Sequence, residues 1–138
     1  PTTIENVSLD RTGGHFWGSQ VFPAIWAFSA SKVFQGIRIS DVDIDDSTYG
    51  GVMFQTNYVG GQPQFPAKDT IFTDISITNS KKSGDAFDAK SGFGIWANEL
   101  PEPGQGPAVG EATFRNLRMS GNAQDVRNTT STFKINIE

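Results

Sequence analysis

The sequence predicts an all-β chain, a right-handed parallel β-helix (solenoid) of about four coils. Three observations carry this expectation. A spacing of apolar residues recurs four times, the composition is rich in turn formers, and no stretch sustains a helical period.

The repeat comes first. Ile4, Val7, Leu9; Ile39, Val42, Ile44; Phe72, Ile75, Ile77; and Phe114, Leu117, Met119 share one pattern. In each, the second apolar residue follows the first by three, and the third follows by two. Asn6, Asp41, Asp74 or Asn116 stands just before the second, always Asn or Asp. The segments recur after 35, 33 and 42 residues. The apolar–polar–apolar triplet is a strand signature, because alternate side chains share a face. The extra residue before the Asx predicts a bend, where an Asx side chain can hydrogen-bond its own backbone. Stacked in parallel, the four strands form one wall of a solenoid. Val7, Val42, Ile75 and Leu117 make one internal ladder, and Leu9, Ile44, Ile77 and Met119 a second.

A second wall is expected at Pro23–Phe28, Gly50–Gln55 and Phe93–Asn98, with Thr132–Ile137 as its fourth strand. The Gly/Pro-rich stretches Gly60–Lys68 and Leu100–Gly110 are expected as corner loops, where solenoids take insertions. No polar cap precedes the strand at Thr2–Ile4, so its edge is open to pairing. Coils before Pro1, or another chain, are expected to cover that edge. Asn122–Glu138, polar and irregular, is expected to close the other end. The chain is thus expected to be one domain, residues 1–138, forming the C-terminal part of a longer β-helix.

Composition narrows the function. Charged residues make up 19% of the chain, with 15 Gly, 7 Pro and no Cys. A net charge of −4 without a Lys/Arg cluster argues against nucleic acid as a partner. No apolar run is long enough to span a bilayer, so no membrane partner is expected. The lack of cysteine removes disulfides, thiolate metal sites and a Cys nucleophile. No cofactor motif is present.

The runs Pro23–Phe28 (PAIWAF), Ile39–Gln55 (ISDVDIDDSTYGGVMFQ) and Asn128–Ile135 (NTTSTFKI) resemble the late coils of the β-helix in α-1,3-glucanases and mycodextranases, glycoside hydrolase family 87. The resemblance covers most of the chain but consists of coil-building positions. It implies a secreted microbial protein acting on α-1,3-linked glucan by inversion, with an α-glucan as partner. It places the catalytic aspartates on coils before Pro1, so no catalytic residue transfers to a numbered position.

Sugars are gripped by aromatic faces, with carboxylates and amides reading their hydroxyls. Trp26, Trp96, Trp17 and Tyr58 are the candidate carbohydrate-binding residues. Trp26 and Trp96 occupy related places, in Ile25-Trp26-Ala27 and Ile95-Trp96-Ala97. If the isoleucines point inward, both tryptophans point outward on one side; the opposite register would put them in the core. Trp96 is expected to be the more exposed, because Asn98 and the Pro-rich loop follow it. For Trp17 and Phe16, in the turn-rich Gly13–Ser19, loop packing is the plainer reading. Inverting glycosidases need two carboxyls roughly 6.5–9.5 Å apart. Asp85 and Asp88 are the local pair that could serve, and solvated aspartates beside Lys81, Lys82 and Lys90 are the plainer reading. Asp41, Asp43, Asp45 and Asp46 suggest a calcium loop, but Asp46 stands where that loop needs Gly and Val52 where it needs Glu. An outer strand face, neutralised by Arg38 or a neighbouring coil, explains them without metal. His15, the one histidine, lies in a Gly-rich turn with no nucleophile-elbow serine to serve. The resulting expectation is a glucan-recognising segment that is not catalytic alone. The alternatives are an active α-1,3-glucan hydrolase and a purely structural β-helix segment.

Overall fold

The computed structural model describes residues 2–15, 21–30, 35–82, 84, 90–100 and 105–138. The strands, in chain order, are β1 (Thr2–Asp10), β2 (Gly14–His15), β3 (Val21–Phe22), β4 (Ile25–Ser29), β5 (Gln35–Asp45), β6 (Gly50–Val59) and β7 (Gln62–Pro63). They continue as β8 (Lys68–Thr78), β9 (Phe93–Ala97), β10 (Gln105–Gly106), β11 (Gly110–Ser120), β12 (Gln124–Asn128) and β13 (Phe133–Ile137). The first wall is a parallel sheet in the order β1-β5-β8-β11-β13, and the second runs β4-β6-β9-β12. Strands alternate between the walls, so the chain winds as a parallel β-helix in the right-handed sense that such crossovers favour.

Both predicted ladders are present. Val7 faces Val42, Val42 faces Ile75 and Ile75 faces Leu117; Leu9, Ile44, Ile77 and Met119 align in the same way. Inside the coils they meet Val52, Phe54, Ile95 and Ala97 from the second wall. The four Asx residues are the hinge of each long strand: Asn6, Asp41, Asp74 and Asn116 have φ of 59°, 53°, 57° and 51°. Asn and Asp enter this left-handed region at lower cost than other side-chain-bearing residues. One such residue bends each strand without breaking its pairing to the next coil. Between the walls a polar corner is tied by Thr12 Oγ1 and Ser47 Oγ, 3.0 Å apart, and by Thr48 N–H donating to Thr12 O.

Two expectations are corrected. Thr132–Ile137 does not extend the second wall: β13 pairs with β11 in the first, Gly110 facing Phe133. The fourth strand of the second wall is β12, so Asn122–Glu138 completes the coil begun by β11 and adds one more first-wall strand, β13, rather than forming an irregular cap. Of the expected corner loops, the first is a hairpin: β6 and β7 pair antiparallel around Gly60 and Gly61. Gly106 of the second lies against β6, in register with Thr56. Among the described residues β1 is an edge strand of the first wall, paired with β5 alone. Ile4 is 47% exposed, whereas its ladder partners Ile39 and Phe72 are 6% and 0% exposed.

Candidate functional site on the outer face of the second wall

Alternation along the second wall decides what faces out. Ile25, Ala27, Val52, Phe54, Ile95 and Ala97 belong to the core inside the coils. The intervening residues therefore point away from it. Register sets them in rows across the strands: Trp26 beside Met53, Met53 beside Trp96, Trp96 beside Arg127. Phe28 lies beside Gln55 in the next row. Of the two registers the sequence leaves open, the structure has the isoleucines inward and the tryptophans outward.

The two tryptophans differ in depth, and the expectation that Trp96 is the more exposed is reversed. Trp96 is 1% exposed; Tyr49, Met53, Phe93 and Leu100 close around it in a second apolar cluster. Its indole N–H donates to Glu99 Oε2 at 2.6 Å, and the Arg127 guanidinium lies 5.1 Å above the ring. Arg127 Nη2 donates to the other Glu99 oxygen at 2.6 Å. Burial pushes the Glu99 carboxyl up, but hydrogen bonds from Arg127 and Trp96 outweigh it, so its pKa lies below the ordinary 4.5. Trp96 is outward-facing yet covered, and offers no open face for stacking. Trp26 is 36% exposed. Its ring stacks on Phe28, centroids 5.0 Å apart and 11° from parallel, and tilts against Phe22 at 5.3 Å. Its N–H donates to Gln55 Oε1 at 3.0 Å. An exposed indole held on three sides is a rigid apolar plate at the surface.

Tyr58 is half-buried, donating its hydroxyl to Pro107 O at 3.0 Å, so it locks the β6–β7 hairpin to the segment after β10. Burial raises its pKa. Trp17, Phe16, Asp85 and Asp88 lie outside the described residues, and of His15 only the backbone, in β2, is described. Asp41, Asp43 and Asp45 are exposed on β5 while Val42 and Ile44 are buried, the pattern of an outer strand face. Relief of their repulsion comes from the neighbouring coil rather than from Arg38, which pairs with Asp69 at 2.8 Å. Thr78 Oγ1 and Asn79 Nδ2 donate to Asp45 Oδ1 and lower its pKa, and Lys81 pairs with Asp46. Asn6, Ser8, Asp41, Asp43, Asp74 and Arg118 line a shallow polar groove of about 400 Å³ on the first wall. It contains no aromatic plate. Among the described residues, no three acidic or histidine side chains come together as a metal site, and no helix is long and apolar enough to cross a membrane.

Sequence reasoning missed Met53, Gln55, Glu99 and Arg127. Gln55 was legible in principle, since it keeps the outward parity of Met53 on β6. Glu99 and Arg127 were not, because nothing local marks two residues 28 positions apart as an ion pair.

Comparison with known proteins gives the fold a family. Residues 1–136 match the family described as alpha-1,3-glucanase catalytic domain D2. The solved catalytic domain of a GH87 alpha-1,3-glucanase in complex with nigerose matches with a TM-score of 0.78 at 27% identity. The match covers 98% of this chain and 24% of that one. An aspartate-to-alanine variant of such a domain with nigerose, and another with tetrasaccharides, match to the same extent. The chain therefore spans about a quarter of the length of these solved domains. No curated protein matches it significantly. With the family match running over nearly the whole sequence, and the same coils present in solved relatives, the chain belongs to the alpha-1,3-glucanase catalytic domain D2 family of glycoside hydrolase family 87.

Proposed function

We propose that this chain is a glucan-gripping β-helix segment of a secreted α-1,3-glucan-degrading enzyme, and that it does not hydrolyse glucan on its own. The observation that carries the reading is Trp26: an exposed indole fixed by Phe28, Phe22 and Gln55 on the outer face of the second wall. Glucosyl residues present apolar C–H faces that stack on such a plate. The solved relatives hold nigerose or tetrasaccharides, which supports an α-1,3-glucan as the ligand class. A polymer of this kind does not enter cells, so its degradation requires a protein outside them.

The non-catalytic reading is supported by the chain's extent, about a quarter of the solved catalytic domains. A general acid needs a carboxyl whose pKa is raised. The carboxyls of Asp45 and Glu99 are shifted the other way, which does not suit either to that role; Asp85 and Asp88 lie outside the described residues. The open edge of β1, with Ile4 47% exposed, supports the companion reading that further parallel coils stack there in the longer domain. Retention on insoluble α-1,3-glucan, together with a reducing-sugar assay, tests the proposal. Retention without sugar release is expected, and Trp26→Ala is expected to lose retention while keeping a cooperative thermal transition and melting above Trp96→Ala. Failure to bind, or steady release of reducing sugar, refutes it.

A further inference from the structure

Gln55 sits beside the Trp26 plate in an unusual state for an amide. It follows core residue Phe54 on β6 and so points out of the coil, opposite Phe28. It is nevertheless only 3% exposed. Its side-chain oxygen accepts the Trp26 indole N–H at 3.0 Å, and its backbone carbonyl accepts Ser29 Oγ at 3.2 Å. An indole nitrogen can only donate, so it fixes the amide with oxygen toward Trp26 and Nε2 turned away. No hydrogen bond from that Nε2 to a described residue is seen, and it is not among the fully buried side-chain atoms left without a partner.

The neighbouring amide shows that this state is not imposed by the wall. Asn98, which continues β9, is equally buried at 4% exposure. Its Nδ2 donates to Met53 Sδ at 3.7 Å and its Oδ1 accepts the Leu100 N–H at 2.8 Å. Asn98 is satisfied within the protein, whereas Gln55 holds a donor in reserve next to an exposed aromatic plate. Packing alone does not call for this arrangement, because Met or Leu would fill the volume without desolvating an amide. A pyranose on the plate surrounds its apolar face with hydroxyl, ring and glycosidic oxygens. A fixed N–H donor at the plate's rim is the complement of that oxygen belt.

We propose that Gln55 is a sugar-reading residue whose Nε2 donates a hydrogen bond to an oxygen of the glucosyl unit lying against Trp26. The inference rests on the proposed glucan-binding role of the second wall and adds a named residue, atom and bond to it. The ligand is neutral and so is the donor, so wild-type binding is insensitive to pH and salt in the neutral range.

The test uses Gln55→Glu and Gln55→Met with Trp26→Ala as the reference, titrating nigerose and a longer α-1,3-gluco-oligosaccharide by calorimetry. Glutamate keeps the acceptor for the Trp26 N–H but removes the donor and repels sugar oxygens. Binding by Gln55→Glu is expected to fall about tenfold at neutral pH, the scale of one hydrogen bond in a binding site. Burial disfavours the charged form of the introduced carboxyl, so affinity measured from about pH 8 down to 5 is expected to rise as the carboxyl regains an O–H donor. Wild type stays flat over that range, and Gln55→Met stays weak throughout. Near-wild-type affinity for both Gln55 variants, with binding lost in Trp26→Ala, overturns the assignment of Gln55 but leaves the glucan-binding face standing. Wild-type affinity for all three variants overturns both. A measurement without mutation covers variants that fail to fold. In wild-type protein the Gln55 side-chain amide resonances are expected to move on adding the oligosaccharide, and resonances that stay still refute the bond.

Discussion

Replacing Trp96 separates depth from direction on the second wall. The residue faces away from the coils but is 1% exposed, packed edge-on to Tyr49 at 6.2 Å, tilted to Phe93 at 5.3 Å and capped by Arg127. Trp96→Ala empties most of this cluster, and truncating a buried Trp costs about 3–5 kcal/mol. Trp96→Phe keeps a ring in the pocket but removes the N–H that meets Glu99. Glu99 retains Arg127, and 21% of its side chain reaches water, so that loss is cushioned to about 1–2 kcal/mol. At this chain length 1 kcal/mol moves Tm by about 3–5 °C, so the alanine variant should melt about 9–25 °C lower and the phenylalanine variant about 3–10 °C lower. Urea unfolding followed by circular dichroism, with wild type and Trp26→Ala alongside, gives the ordering. An alanine variant within about 1 kcal/mol of wild type would show that the ring is not packed and that the cluster account is wrong.

Other perturbations test the coils and the charges. Ile75→Asp puts a charge at a position 0% exposed in the middle of a ladder, and loss of the cooperative unfolding transition in a thermal scan is expected. A Cβ on Gly51 would lie 2.6 Å from Gly94 O and 2.7 Å from Ile77 Cγ2, so Gly51→Ala should destabilise by about 1–3 kcal/mol in urea titration. The lowered Glu99 pKa contributes stability that is fully present above its ordinary 4.5 and is lost as pH falls through its folded value. The stability gap between wild type and Glu99→Gln should therefore shrink as pH drops below 4.5; a gap constant down to the acid transition contradicts the Arg127–Glu99–Trp96 assignment.

The first wall was legible because two independent constraints coincide there. Alternation puts Val42 and Ile44 inside, and the backbone bend demands an Asx at Asp41 and its equivalents, so the pattern survives the variable material between coils. The placement of Thr132–Ile137 failed for a related reason. TFKINI alternates equally well on either wall, and the spacing of 33 to 42 residues between the anchors made another first-wall strand unexpected so soon. Gly110 faces Phe133, and 133 − 110 = 23, so this turn of the helix lacks the insertions that lengthen the others. At the functional face, parity gave the direction of Trp26 and Trp96 but could not give their depth. Trp96 is covered by Leu100 and by Arg127, and Arg127 lies on β12, a strand that a polar sequence concealed.

The exposure of successive rungs, 47% at Ile4, 6% at Ile39 and 0% at Phe72, has a dynamic consequence. Each coil is supported only by its neighbours, so cooperativity in such an array is local and runs along one dimension. Opening should begin at the edge strands β1 and β13, each paired on one flank only, and travel inward like a zipper rather than strike the whole molecule at once. Amide hydrogen exchange should accordingly rank the first-wall strands, fastest in β1, slower in β5 and slowest in β8. An added coil on β1 would move the fraying end outward and bring β1 under the protection that β5 has now.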